Sequence, residues 1–291
     1  MRIICLVIII ICVICLVSSI IDTHRFVVRH YELESDKICK DMRFVLISDL
    51  HNKDYGSDNA SLLSAIDNES PDAVLIAGDL INGSAGSDRL AATGFAIELA
   101  KRYPVYYGMG NHETKIKQYP ERFDEKWEIY ESALTEKGIH LLDNERIVVE
   151  EAGVDIAALS LDRTYYKKFI RKELDSGDIS PLIGDASSDK MQILIAHNPD
   201  YFEAYADWGA DLTVSGHLHG GIMRLPVIGG VISPRITPFP RYSGGEYCKG
   251  TSKMIVSCGL GMHTINLRVF NPGELSVIDI HRGNNGNTGN A

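Results

Sequence analysis

The chain has 291 residues, 45% of them hydrophobic and 23% charged, with a formal net charge of −10. That length and balance accommodate one large globular body with a substantial core and exclude a wholly disordered chain. The acidic balance argues against a general nucleic-acid binder, which needs a basic stripe to neutralise phosphates. It leaves room for a small phosphorylated substrate, because bound metal ions would dominate the local field.

The first expected element is a membrane helix. Residues 3–21 are apolar except for Ser18 and Ser19, with no charge between Arg2 and Asp22. A helix of that length reaches roughly 28 Å, about the hydrocarbon thickness of a bilayer. The reading is an uncleaved transmembrane or signal-anchor helix over 1–21. The alternative is a secreted protein after signal cleavage, since Val17-Ser18-Ser19 offers small residues to a signal peptidase. Arg2 and the short N-tail favour an inside N-terminus and an extracytoplasmic body, against Arg25, Arg29 and Lys37 on the other flank. Cys5, Cys12 and Cys15 fall within the apolar segment. The remaining Cys39, Cys248 and Cys258 show no C-x-x-C spacing, so no disulfide framework is expected.

Residues 22–42 read as a polar connector with a strand-like patch at Phe26-Val27-Val28, and the body runs over 43–282. Five short apolar runs then break at Gly or Ser, and each ends in a side chain able to bind metal. They are Phe44-Val-Leu-Ile-Ser-Asp49-Leu-His51, Ala73-Val-Leu-Ile-Ala-Gly-Asp79, Val105-Tyr-Tyr-Gly-Met-Gly-Asn111-His112, Ile193-Leu-Ile-Ala-His197 and Leu212-Thr-Val-Ser-Gly-His217-Leu-His219. Such punctuated runs read as buried strands. Helical patterns over 60–66, 89–102 and 121–137 alternate with them, the last with Pro120 as a helix starter. Further on, 147–159 reads as a hairpin turning at Ala152-Gly153, and 253–258, 265–270 and 274–280 read as strands. The tail, 283–291, is low in apolar residues and expected to be disordered. The fold class is therefore α/β, with two packed mixed sheets flanked by helices and preceded by the N-terminal helix.

Singly, these motifs are weak: an isolated D-x-H or G-D is common, and one buried His is more often a core residue than a ligand. The ordered set is specific, because Asp, His and Asn recur at strand ends, where α/β architectures gather ligands. On Asp49-Leu-His51, Gly78-Asp79, Gly110-Asn111-His112-Glu113, His197 and Gly216-His217-Leu-His219, the chain resembles the calcineurin-like metallophosphoesterases. The cues 49–56, 196–200 and 215–221 resemble the membrane-associated or exported bacterial branch. Where many of these relatives carry Gln after the Gly-Gly pair, this chain has Ile222.

The resemblance implies a metallophosphoesterase αββα sandwich and two divalent metal ions, Mn²⁺ favoured over Fe or Zn. One ion would take Asp49, His51 and His219, the other Asn111, His197 and His217, with Asp79 bridging. A bridging ligand needs two oxygens on one group, which a carboxylate has. Asn111 contributes an oxygen without adding negative charge, so the site keeps a positive excess for phosphate. The implied reaction is hydrolysis of a phosphate ester or pyrophosphate by a water that the metals acidify. His112 would protonate the leaving oxygen or stabilise the phosphoryl group, or else serve only as a hydrogen-bond donor behind the ligands.

His24, His30, His140, His263 and His281 lack ligand spacing and read as surface or packing residues. Asn52, Lys53 and Tyr55 either border the phosphate site or lie in a solvated loop. Arg163, Tyr165 and Tyr166 form a polar-aromatic loop that could cover substrate, while Arg224 and Arg241 read as surface charge, with contact to phosphate as the alternative. The expected partners are a phosphorylated small molecule or a lipid-linked or cell-envelope phosphate, favoured by attachment beside the bilayer, and the membrane itself, with soluble nucleotides and cell-wall phosphates left open. The competing functions are a catalytically inactive membrane-tethered metal scaffold and a nuclease with the same two-metal chemistry.

Overall fold

A computed structural model describes residues 1–84, 89–123, 127–167, 172–234, 236–262 and 266–283. Strands and helices are numbered in chain order. One six-stranded sheet runs β1 (Phe26–Ser35), β14 (Gly273–Arg282), β2 (Met42–Ile47), β3 (Ala73–Ala77), β4 (Val105–Gly108) and β5 (Ile139–Leu142). The other runs β12 (Gly245–Lys249), β13 (Ser252–Val256), β9 (Leu212–Ser215), β8 (Met191–Ile195), β7 (Val154–Ala158) and β6 (Glu145–Val149). A separate two-stranded ribbon pairs β10 (Met223–Leu225) with β11 (Gly229–Ile232).

Strands β2 to β5 are parallel, as are β13, β9, β8 and β7, while β14, β12 and β6 supply the antiparallel pairings. Parallel strands covered on both faces need apolar residues at every position, which is why these runs show no polar alternation. Side chains still alternate between faces. Phe44, Leu46, Leu75, Ile156, Ile193 and Val214 fill the space between the sheets. Val45, Ile47, Val74 and Ile76 point outward, onto α2 (Ala60–Glu69), α3 (Leu90–Ala100) and α5 (Trp127–Thr135). Ala157 and Leu194 pack under α6 (Ser176–Ile183) and α7 (Phe202–Trp208). The expected two-sheet sandwich with outer helices is the observed one.

Three local expectations change. Pro120 opens a 3₁₀ turn, Pro120–Arg122, and the helix itself begins at Trp127. A helix the pattern did not suggest, α4 (Asn111–Gln118), starts directly after β4. Among the described residues of 265–270 there is no strand. Val269 makes one isolated bridge to Met223, and Arg268 is buried where an apolar residue would be expected. His263 and the tail beyond Gly283 lie outside the described residues.

Helix α1 (Arg2–His24) has the length and composition to cross a membrane. It is exposed along almost all its length, and only Ser19, Asp22 and Thr23, in its last turns, are buried. The segment read as a connector contains β1, which extends well past the Phe26 patch and pairs in parallel with β14 along its whole length.

Candidate metal centre

The loops leaving β2, β3, β4, β8 and β9 converge at one end of the sandwich. Asp49, His51, Asp79, His217 and His219 all adopt left-handed backbone conformations, with φ of 52°, 49°, 53°, 71° and 52°. Such conformations are uncommon for non-glycine residues and persist where surrounding structure over-determines them. Neighbouring glycines let the loops close up. A Cβ on Gly110 would lie 2.2 Å from Asp79 Oδ1, and one on Gly216 would lie 1.8 Å from Ser48 Oγ. The glycines of the Gly-Asn-His and Gly-His-Leu-His motifs are therefore demanded by backbone packing around the carboxylates.

These loops bring the sequence-predicted side chains together. Donor atoms of Asp49, His51 and His219 lie within 4.8 Å of one another, as do those of Asp79, His197 and His217. His219 Nε2 is 3.4 Å from Asp49 Oδ1, and His197 Nε2 is 3.2 Å from Asp79 Oδ2. Two atoms each ~2.1 Å from a shared ion stand roughly 3–3.5 Å apart, so the spacing fits co-ligands. His51 Nε2 links the trios, at 3.7 Å from Asp49 Oδ1 and 3.8 Å from Asp79 Oδ2. Asp49 Oδ1 and Asn111 Oδ1 are buried acceptors without a hydrogen-bond donor. Buried acceptors are costly unless paired, and a cation beside each would satisfy it.

In the rings of His197, His219 and His112, backbone groups decide which atom faces inward. His197 Nδ1 donates to Ala77 O (2.6 Å) and His219 Nδ1 to Gly261 O (3.0 Å), which leaves both Nε2 atoms facing the carboxylates. Asp49 Oδ2 accepts from Ser48 Oγ (2.6 Å) and His217 N (2.9 Å), so Oδ1 is its inward atom. His112 is the reverse of the other rings. Gly83 N–H can only donate, and it donates to His112 Nδ1 at 2.6 Å. The hydrogen of the neutral ring is therefore on Nε2, 3.9 Å from Asp79 Oδ2. His112 also groups with His51 and Asp79 by distance, but this tautomer makes it a hydrogen-bond donor rather than a ligand.

Burial alone would push the Asp49 and Asp79 carboxyls up. The imidazoles around them outweigh it, His219 foremost at Asp49 and His197 foremost at Asp79, and hold both well below the usual range. His197 answers in the opposite sense: burial would lower it, but Asp79 and Asp49 raise it to about 10. A divalent cation would take the place of that proton.

Three supporting residues escaped sequence reasoning. Glu113 is fully buried; its carboxylate accepts from Asp79 N (2.9 Å), Gly110 N (2.9 Å) and Tyr107 OH (2.6 Å), locking two loops together. Its position three residues into a helix after Gly110 is a capping signal that could have been read. Asn271 Nδ2 donates to His219 O (2.7 Å) and Gly221 O (2.6 Å). Arg268 donates to the carbonyls of Cys258, Gly259, Gly261 and Asn271. Neither of the last two lies in a recognisable motif.

The other candidates divide. Tyr166 packs edge-on against His217, with ring centroids 5.0 Å apart, so that loop does reach the centre. Arg163 lies over the Tyr119 ring, and the Tyr165 carbonyl accepts from Asn198 Nδ2 and Tyr201 OH. Lys53 donates to Thr23 O at the end of α1, and Tyr55 OH to Leu260 O, so both brace the loop rather than lie solvated. Asn52 Oδ1 accepts from Asn82 N. Arg224 donates to Gly244 O and Arg241 pairs with Glu203. His140 stacks on Tyr106, and His30 and His281 face carboxylates.

A family model described as calcineurin-like phosphoesterase matches residues 42–221. The uncharacterized metallophosphoesterase YkuE of Bacillus subtilis (strain 168) is 27% identical over 246 residues, 82% of this chain and 78% of YkuE. Phosphodiesterase YaeI of Escherichia coli (strain K12) is 26% identical over 199 residues, 66% of this chain and 64% of YaeI. A Danio rerio transmembrane protein with metallophosphoesterase domain is 24% identical over 245 residues, and this chain spans 52% of it. The family match covers more than half the chain and includes every candidate ligand from Asp49 to His219, so the protein belongs to the calcineurin-like phosphoesterase family.

Proposed function

We propose that the protein is a two-metal phosphoesterase, anchored by α1, that hydrolyses a phosphate ester or pyrophosphate of a phosphorylated substrate, with lipid-linked phosphates the favoured class. The observation that carries the reading is Asp79 Oδ2, which faces His197 at 3.2 Å in one trio and His51 at 3.8 Å in the other. The sharing expected of two separate oxygens falls instead to this single atom, because Asp79 Oδ1 accepts from His112 N (2.8 Å). Asp49, His51 and His219 would hold one cation, and Asn111, His197 and His217 the other, with Asp79 shared. Mn²⁺ is the favoured ion by the family resemblance, although mixed N/O ligation selects only weakly among Mn, Fe and Zn.

When bound, the cations supply Lewis acidity toward the phosphoryl oxygens and an acidified water as nucleophile. The chain's own groups do the rest. His112 offers Nε2–H toward the centre, and with Nδ1 occupied by the Gly83 N–H it stabilises developing charge on a phosphoryl or leaving oxygen by donating a hydrogen bond. Glu113 holds the Asp79 and Gly110 loops in register. Asn111 adds an oxygen without charge, so the centre stays positive enough to attract phosphate. The intact donor set weighs against an inactive scaffold, and the net charge of −10 weighs against a nuclease.

The test is hydrolysis of bis-p-nitrophenyl phosphate and p-nitrophenyl phosphate by the detergent-purified chain after chelation and Mn²⁺ re-addition, beside Asp79→Asn. Turnover should return with metal and be absent from the variant. Folded, metal-loaded protein inactive on these esters and on lipid-linked phosphates would sink the reading.

A further inference from the structure

The surface around the end of α1 is apolar. Strands β10 and β11 meet at the turn Pro226-Val227-Ile228, where Val227 is fully exposed and Ile228 59% exposed. Ile236, Phe239, Leu267 and Phe270 are exposed as well. Backbone hydrogen bonds place these segments side by side: Phe239 N donates to Val231 O (2.9 Å) and Arg224 N to Val269 O (3.0 Å). Val227, Ile236, Phe239 and Phe270 hold φ of 69°, 64°, 46° and 54°. Left-handed backbone is a marked outlier for bulky or β-branched residues, and strain of this kind clusters where function maintains it.

This face is fastened to the helix. Phe270 N donates to Ser18 Oγ (2.8 Å), Asn271 N donates to Asp22 Oδ2 (3.0 Å), and Lys53 donates to Thr23 O. The body therefore does not hang from α1 on a loose tether, and whatever surrounds α1 where it leaves the body also meets the apolar rim. Beside the rim lies a cleft of about 830 Å³ lined by Arg29, Arg224, Arg241, Val227, Ile228 and Phe270. Apolar tips next to arginines are the pattern of elements that lie in a membrane interface.

We propose that this rim is a membrane-docking surface. Val227, Ile228, Phe239 and Phe270 enter the headgroup–acyl boundary of the bilayer that α1 crosses, so the body lies against the membrane in one orientation. The proposal rests on α1 being a membrane helix, and its occupant is the lipid surface. A consequence concerns the centre. Asn271, whose backbone holds Asp22, also donates from its side chain to the carbonyls of His219 and Gly221. Docking thus fixes the height of the metal loops above the headgroups and suits them to a phosphate emerging from the bilayer.

The experiment places single tryptophans in the full chain, reconstituted in phosphatidylcholine–phosphatidylglycerol vesicles with or without bromines on the acyl chains. Ile228→Trp and Phe239→Trp probe the rim, Ile8→Trp probes α1, and Ile129→Trp probes α5 beside β5, at the opposite edge of the sheet from β1. The native Trp127 and Trp208 are buried in the body and are subtracted as background. The expected result is blue-shifted emission, quenched by bromine, at Ile228→Trp, Phe239→Trp and Ile8→Trp but not at Ile129→Trp. Quenching at Ile8→Trp alone would overturn the docking surface and leave the anchor standing. No quenching at Ile8→Trp would remove the anchor and the surface with it. Blue-shifted rim emission that bromine leaves unchanged and dilution of the protein reverses would assign the face to a second copy of the chain, again overturning the proposal.

Discussion

Arg268→Met isolates a residue that no motif marks. The guanidinium is buried, and Nη1 donates to Cys258 O (3.1 Å) and Asn271 O (3.2 Å), Nη2 to Gly259 O (2.9 Å) and Gly261 O (2.8 Å). Hydrogen bonds from a charged donor contribute about 1.5 kcal/mol each at the low end, so these four amount to about 6 kcal/mol before desolvation. Methionine no longer buries a charge, which returns several kcal/mol, and it keeps much of the volume. The net loss expected is about 2–4 kcal/mol, or a fall of roughly 3–8 °C in thermal midpoint. Gly261 O also accepts from His219 Nδ1, so releasing the loop should weaken Mn²⁺ binding by about 10–100-fold. Circular dichroism melting of the detergent-purified chain and calorimetric Mn²⁺ titration read the two effects. Arg268→Lys, which keeps the charge but not the fork of donors, should recover part of the stability. A variant that melts and binds metal like the unsubstituted chain would refute the argument that this loop is held from beneath.

Removing His112 separates its two roles: His112→Phe should lower kcat by about 10²–10³-fold while leaving metal stoichiometry unchanged, and loss of an ion by elemental analysis would make it a ligand instead. Chelation should lower the thermal midpoint, and cation at a thousandfold excess over its Kd should restore about 4 kcal/mol for each ion bound; a midpoint indifferent to metal would contradict the proposal that cations satisfy the buried acceptors. Burial, aided by Glu274, pushes the Cys258 thiol from 9.0 up to about 12. A folded pKa raised above the unfolded one means that this contribution is complete below pH 9 and lost as pH rises toward 12. Cys258→Ser should therefore unfold at higher pH than the parent in an alkaline titration followed by circular dichroism, and an unmoved transition would count against it.

The strands that carry the centre were legible because their signals are local. An apolar run covered on both faces and stopped by Gly or Ser looks the same whatever packs on it, and Asp49, Asp79, His197 and His219 each follow one. Residues 265–270 show the opposite case. Their apolar spacing suggests a strand, yet Arg268 turns inward because carbonyls from loops on either side of it in sequence converge on its guanidinium. Helix α4 was hidden for a related reason: its charged, lysine-containing sequence has no strong apolar stripe, and it is held by Glu113 capping and by the β4 loop.

Sequence by itself determined the α/β layering, the apolar helix at the N-terminus and the residue types delivered to one end of the sheets, since hydrophobic periodicity and glycine punctuation act within a few residues. Tertiary structure decided which ring nitrogen faces the centre, because the carbonyls of Ala77 and Gly261 and the N–H of Gly83 that orient the rings come from other loops. It also decided that the 269–271 segment ties the end of α1 to the His219 loop. The two contacts with α1 join residues some two hundred and fifty positions apart, Ser18 with Phe270 and Asp22 with Asn271, and hydrogen bonds of that range leave no periodic trace in the chain.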